Sequence, residues 1–234
     1  MYILRALGVF VSTVFYGLIS LFISFSDPDG RRQNTVAQRW ARSLLSIAGV
    51  KVEAEGLEKI DPNGSYVIAS NHLSYFDTPV MLATIPAQFR FMAKYGLFKI
   101  PLLGTHLSRA GHIPVFRHDP RSAVKTLAMA AEAIREKHIS VLIFPEGGRS
   151  EDSHIQPFKD GAAYIAIRAG VPVLPVALWG TWDVLPFGGG KIRPANVRLR
   201  VGEPIDTSSA KLKQRGEVTE QVRQQIVSLL GEHV

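Results

Sequence analysis

The residues best suited to chemistry in this sequence lie in Asn71-His72-Leu73-Ser74-Tyr75-Phe76-Asp77-Thr78-Pro79. A histidine followed by an aspartate offers a base and a group to orient it. The carboxylate can accept from one imidazole nitrogen, fix the tautomer and leave the other nitrogen free to take a proton. On one continuous helix the spacing of His72 and Asp77 would set the side chains about 140° apart, so they meet only if the chain turns between them. The apolar run Tyr66–Ser70 reads as a strand leading into this block. Pro79 suits the first turn of a helix leaving it, with Asp77 or Thr78 as cap. A strand–loop–helix junction would supply the turn. The same spacing also fits Asp77 as a plain helix cap and His72 as an ordinary loop residue. Ser74 is a candidate nucleophile, but it sits in no Gly-x-Ser-x-Gly elbow, and none occurs in the chain.

A second cluster reads Phe144-Pro145-Glu146-Gly147-Gly148-Arg149-Ser150. Its glycines let the backbone approach a ligand, and Arg149 can fork onto a phosphate. Glu146 could accept hydrogen bonds from a hydroxylated ligand or hold an arginine. Such a segment also fits a plain surface turn. Two weaker pieces are Gly111–Arg117, a strand ending in arginine, and Val171–Val176, an apolar strand holding Pro172 and Pro175. Prolines there mark an edge or a bulge. The chain has no Gly-x-Gly-x-x-Gly, no Walker loop and no His-Glu-x-x-His. With no cysteine it has no disulfide scaffold, Cys-ligated metal or cysteine nucleophile.

The elements that must hold these residues begin near Val50. Apolar runs at Val50–Ala54, Tyr66–Ser70, Phe89–Ala93, His112–Phe116, Ile139–Phe144, Val173–Leu178 and Val197–Val201 predict strands. Val124, Leu127, Ala131 and Ile134 recur at helical spacing and predict a helix over Ser122–Lys137, with Ser122 as its cap. Val222, Ile226 and Leu229 predict another over Thr219–Leu230. Alternating strands and helices imply a single α/β domain over 50–234, with a mixed, largely parallel sheet flanked by helices.

Residues 1–49 differ. From Ala6 to Phe25 there is no charge, a stretch long enough as a helix, about 30 Å, to cross the hydrocarbon core. Its glycines and serines leave an interfacial helix, a spanning helix and a buried soluble helix all open. Arg31, Arg32, Arg39, Trp40 and Arg42 follow on a helical stretch suited to anionic headgroups, which puts the remaining chain on the cytoplasmic side of a membrane if the first segment spans. The formal net charge of +7 calls for an anionic partner. Nucleic acid is not expected, because the basic residues lack aromatic interleaving and no nucleic-acid motif occurs.

Taken in order, His72-x-x-x-x-Asp77, Gly111–Arg117, Phe-Pro-Glu-Gly at 144–147 and Val-Pro-x-x-Pro-Val at 171–176 resemble the blocks of the glycerolipid acyltransferases, in particular the 1-acylglycerol-3-phosphate acyltransferases. Ala93-Lys94, Leu97–Pro101 and Gly104 resemble the family's segment between its first two blocks. The likeness covers roughly residues 50–205, and the amino-terminal segment is also similar. It implies acyl transfer from an acyl-CoA or acyl carrier protein thioester to a lysophospholipid hydroxyl, with no metal or other cofactor. It implies His72 as general base, Asp77 as its orienting partner, Arg117 and Lys94 as phosphate ligands, and Glu146, Gly147 and Arg149 as acceptor-binding residues. Two positions depart from the family pattern: Phe116, often polar there, and Gly148, commonly threonine. Hydrolysis or transacylation through Ser74, and a non-enzymatic anionic-lipid-binding protein, remain the competing readings.

Overall fold

The computed structural model describes residues 2–116 and 120–233. Two helices come first, α1 (Tyr2–Ile23) and α2 (Arg31–Ala48). Then follow β1 (Lys51–Glu55), β2 (Val67–Ser70), α3 (Asp77–Thr84), β3 (Phe89–Lys94), α4 (Leu103–Arg109), β4 (Ile113–Val115), α5 (Pro120–Lys137), β5 (Ser140–Ile143), α6 (Gly161–Ala169), β6 (Val173–Trp179), α7 (Thr181–Val184), β7 (Asn196–Val201) and α8 (Arg215–Leu230). Every strand read from an apolar run is present, with ends displaced by a residue or two. The helix expected over 122–137 begins at Pro120, so Ser122 lies in its first turn rather than capping it. The helix expected over 219–230 begins a turn earlier, at Arg215.

The strands form one sheet of seven in the order β1-β7-β6-β2-β5-β3-β4. Each pairing is parallel except β6 with β7. Helices cover both faces, so the central strands read as unbroken apolar runs. Ile68, Leu142, Leu174, Val176 and Leu178 face one side, with α2 and α3. Val67, Ala69, Val141, Val173 and Ala177 face the other, with α5, α6 and α8. The outer strand β1 is exposed and charged, and its Glu53 and Glu55 each pair at 2.8 Å with Arg198 and Arg200 of β7. Charges of this kind discourage edge-to-edge association.

Pro175 lies within β6, a central strand, so the edge location that proline suggested is not what forms. The bulge is. Val176 pairs with Val201 and Val173 with Ile205, leaving two residues between these pairs on β6 and three on the opposite chain. The extra residue breaks the ladder where Pro175 has no N–H to give.

Helix α1 is turned inside out relative to a soluble helix. Its buried residues are Ser12 and Ser20, while Leu4, Leu7, Phe10, Phe15 and Phe22 are exposed. By length and composition it could cross a membrane, and only 6% of its apolar window is buried. The buried soluble helix that composition allowed is therefore not what forms. Its small and polar residues meet the domain instead. The Ser12 hydroxyl bonds Ser43 of α2, Trp40 donates to Thr13 at 3.1 Å, and Ser20 bonds His106 of α4 at 2.7 Å. Gly30, at φ +67°, lets the turn between α1 and α2 close on Ala110, whose carbonyl oxygen would lie 2.5 Å from any Cβ there. Behind that turn Arg90 is buried and donates to the Asp29 carbonyl at 2.7 Å.

One side chain ties the end of β2 to β6. The Asn71 amide donates to the Leu178 carbonyl and accepts from the Leu178 N–H, both at 2.8 Å and both buried. Asn71→Leu leaves both backbone groups without partners in the core. It should lower the unfolding free energy by about 2–4 kcal/mol, read from urea titration of the detergent-solubilised protein. A change within experimental scatter would show that the pair does not hold this junction.

Candidate active site

Five parallel strands, β6, β2, β5, β3 and β4, end on the same edge of the sheet. The loops after them carry the sequence blocks with chemistry in them, which is where ligands bind in open α/β sheets. The His72 loop leaves β2, the Phe144–Ser150 turn leaves β5, and Lys94 closes β3.

His72 and Asp77 meet. His72 Nδ1 lies 2.7 Å from Asp77 Oδ2, because the chain turns at Tyr75–Phe76 before entering α3. The same Oδ2 accepts the backbone N–H groups of Leu73 at 2.7 Å and Ser74 at 2.9 Å. Asp77 is fully buried. It is not the side-chain cap of its own helix: it is the first residue of α3, and its carboxylate folds back over the preceding loop. An ionised carboxylate only accepts, so in the neutral ring the proton resides on Nδ1 and the lone pair on Nε2. The ring stacks on Phe144, with centroids 3.9 Å apart and planes at 11°. That contact fixes its plane, and 17% of the side chain stays open to solvent.

Glu146 does not wait for a ligand. Its Oε1 accepts the His72 N–H at 2.7 Å and its Oε2 the Gln156 N–H at 2.9 Å. Ser150 N–H donates to the His72 carbonyl at 2.8 Å. The β5 turn thus grips the histidine backbone from both sides. Burial pushes the Glu146 carboxyl up to about 7, against the pull of the Gln156 and His72 N–H groups and with a smaller push from Asp77. Gly147 adopts φ +78° beneath Lys159, whose Nζ would lie 2.6 Å from an added Cβ. At Gly148 an added Cβ meets nothing, so the departure from threonine there leaves open space. Arg149 stacks over Tyr75, its guanidinium carbon 3.7 Å from the ring centroid, and lies 4.8 Å from that of Phe187.

The remaining expected residues divide. Lys94 is exposed on the shared edge and has no hydrogen bond or ion pair to the His72 loop among the described residues. Arg117 lies outside the described residues. In the same block His112 is buried and its Nδ1 accepts the Phe91 N–H at 2.9 Å, so it serves packing. Phe116 packs on Tyr95, ring to ring at 4.5 Å. The Ser74 hydroxyl is buried, donates to the Leu185 carbonyl at 2.7 Å and accepts from Phe76 N–H at 3.2 Å. It is committed to loop structure. Sequence reasoning missed Gln156, Ser150, Tyr75 and Phe187. The first two act through backbone N–H groups, which no residue type signals.

Glu146 gives the protein a pH dependence of known sign. Its carboxyl ionises near 4.5 when unfolded and near 7 when folded, so between those values the folded state keeps a proton the unfolded state has lost. Unfolding free energy should therefore fall as pH rises from about 4.5 to about 7, by an amount on the order of 3 kcal/mol from this group, and be flat in this group outside that window. Denaturant titrations of wild type and Glu146→Gln across pH 4.5–8 measure it. A variant with the wild-type pH dependence in that window would contradict the assignment.

Comparison with known proteins adds to this geometry. Residues 51–179 match the Acyltransferase family. A chloroplastic 1-acyl-sn-glycerol-3-phosphate acyltransferase of Arabidopsis thaliana is 37% identical over 192 residues, covering 81% of this chain and 53% of the plant protein. The chain spans about half the length of the plant relatives it matches first. A 1-acyl-sn-glycerol-3-phosphate acyltransferase of Pseudomonas aeruginosa is 30% identical over 92% of this chain and 85% of its own. The crystal structure of a 1-acyl-sn-glycerophosphate acyltransferase from Thermotoga maritima superposes with a TM-score of 0.81 at 29% identity, covering 98% of this chain and 96% of the other. Since the matched stretch runs from β1 through β6 and takes in both the His72 loop and the Phe144–Ser150 turn, this chain belongs to the acyltransferase family.

Proposed function

We propose that the protein transfers a fatty acyl group from an acyl thioester, on CoA or acyl carrier protein, to the free hydroxyl of 1-acyl-sn-glycerol-3-phosphate, giving phosphatidic acid. The observation that carries this is the His72–Asp77 pair at 2.7 Å, set on the ligand-binding edge of the sheet with Nε2 free of Asp77. The acceptor named for the plant, Pseudomonas and Thermotoga relatives supports the choice of lysolipid.

In the step, the acceptor oxygen attacks the thioester carbonyl while Nε2 of His72 takes the hydroxyl proton. Asp77 stabilises the imidazolium that forms. The tetrahedral intermediate collapses with loss of the thiolate, which receives the proton from His72. Thiolate is a good leaving group, so no covalent acyl-enzyme is needed and the step draws on no metal or redox cofactor. The transacylase reading is less well supported, because the Ser74 hydroxyl is buried and donates to Leu185. Arg149, with Arg117 and Lys94, supplies charge for the acceptor phosphate. Glu146 and Gly147 act by shaping the turn.

The exposed apolar face of α1 suits a helix lying in the membrane interface, since its opposite face is bonded to α2 and α4. Arg31, Arg32, Arg39 and Arg42, exposed on α2, suit the anionic headgroups of a cytoplasmic leaflet. The lysolipid hydroxyl would then arrive at headgroup level.

Turnover of the purified protein with a panel of lysolipids and both thioester classes tests this reading. His72→Ala should cut kcat by about 100- to 10,000-fold with lipid binding and folding retained. Near-normal turnover in that variant would remove the histidine from the mechanism. Lipid binding with no turnover by the wild-type protein would favour a purely binding role.

A further inference from the structure

Three loops converge on Arg149. Tyr75 belongs to the His72 loop, Arg149 to the turn after β5, and Phe187 to the segment after α7. Each is fixed to the catalytic loop by its backbone. Ser150 N–H, next to Arg149, bonds the His72 carbonyl at 2.8 Å. The Leu185 carbonyl, two residues before Phe187, accepts the Ser74 hydroxyl at 2.7 Å. The turn bearing Phe187 closes through Gly189 N–H on the Pro186 carbonyl at 3.0 Å. Both rings are solvent-exposed, Tyr75 by 63% and Phe187 by 42%. Core burial therefore does not account for their position.

What the rings touch is the guanidinium, at 3.7 Å from Tyr75 and 4.8 Å from Phe187. Among the described residues that guanidinium makes no hydrogen bond or ion pair. A guanidinium has weakly hydrated faces and five N–H donors in its plane. Aromatic faces can hold it flat without consuming those donors, which stay free for a bidentate anion. Holding a long side chain in place before the ligand arrives removes part of the ordering cost of binding.

We infer that Tyr75 and Phe187 are positioning residues that hold the Arg149 guanidinium, donors free, for the phosphate of the acceptor beside His72. The inference rests on the acyl-transfer reading above and adds a specificity element to it. An acceptor with a phosphate gains from the stack, and a neutral monoacylglycerol does not. The phenolic hydroxyl of Tyr75 has no part in it.

The test is steady-state transfer by the full-length protein in mixed micelles, with lysophosphatidate and with monoacylglycerol as acceptors. Each ring should contribute the value of an exposed cation–π contact, so Tyr75→Leu and Phe187→Leu should each raise the lysophosphatidate KM by about two- to fivefold. The kcat should stay near wild type and the monoacylglycerol KM should not move. Tyr75→Phe keeps the ring and should restore the wild-type KM. In an Arg149→Ala background, Tyr75→Leu should add nothing. A wild-type KM in Tyr75→Leu, an equal rise with monoacylglycerol, failure of Tyr75→Phe to rescue, or full additivity with Arg149→Ala would each overturn the inference while leaving acyl transfer intact. A wild-type protein that transfers to no lysolipid would overturn the acyl-transfer reading, and the inference with it. A readout independent of turnover is the rate at which phenylglyoxal modifies Arg149, followed by mass spectrometry. Removal of both rings should accelerate it, and an unchanged rate would overturn the stack itself.

Discussion

One oxygen atom organises the candidate active-site end of this molecule. Asp77 Oδ2 collects three donors: the His72 ring and the backbone N–H groups of Leu73 and Ser74. Charge-assisted bonds of this sort are about twice as strong as neutral ones. They share an acceptor that is fully buried and hence poorly screened. The carboxylate therefore bends the loop around itself as well as orienting the imidazole. Because Asp77 opens α3, whose Val80, Met81 and Leu82 are packed in the core, the orientation of the imidazole is referred back to the sheet. Other residues near the site act mostly on this arrangement: Phe144 sets the plane of the ring, and Glu146 with Ser150 holds the backbone at its root.

The placement of charge follows the same logic. Glu146 sits buried within reach of the field of Asp77, and burial raises its carboxyl to about 7, yet both of its oxygens face backbone N–H groups. A carboxylate so occupied offers little to an incoming hydroxyl. A residue that looked like a ligand for substrate is better understood as a strut between the first and third sequence blocks. Arg149 is the opposite case, with its guanidinium against two rings and its donors unspent among the described residues. Three residues apart on one turn, they have different jobs because one is buried and the other lies nearer the surface.

The strands were legible because a sheet covered on both faces demands continuous apolar runs, and those at Val67–Ser70, Ser140–Ile143 and Val173–Trp179 are hard to mistake. Their order was not legible, since it depends on which helix crosses which face. Pro175 misled on location: the physics of a missing N–H was right, but the chain met it by bulging the neighbouring strand rather than by leaving β6 at the edge. At the site, residue types pointed to His72 and Asp77, while the turn that joins them came only with the structure. Glu146 was found, but its contacts were not legible, because its partners are main-chain groups of His72 and Gln156. Tyr75 and Phe187 were passed over because single exposed aromatics carry no spacing signal.

Helix α1 connects the fold to its setting. A soluble helix gains stability by hiding its apolar stripe, but this one hides Ser12 and Ser20 and displays phenylalanines and leucines. Such an outer face is favourable where something apolar covers it, and on the interfacial placement proposed above a hydrocarbon phase would do so without any shaped partner. The polar contacts to Ser43, Trp40 and His106 then have a purpose beyond adhesion. They fix the angle at which the domain sits on its apolar helix, and with it the height of the sheet edge that carries His72. On the acyl-transfer reading proposed above, a base that meets a hydroxyl at the headgroup level of a lipid would need that height held steady, which a helix joined to the domain by a flexible tether could not provide.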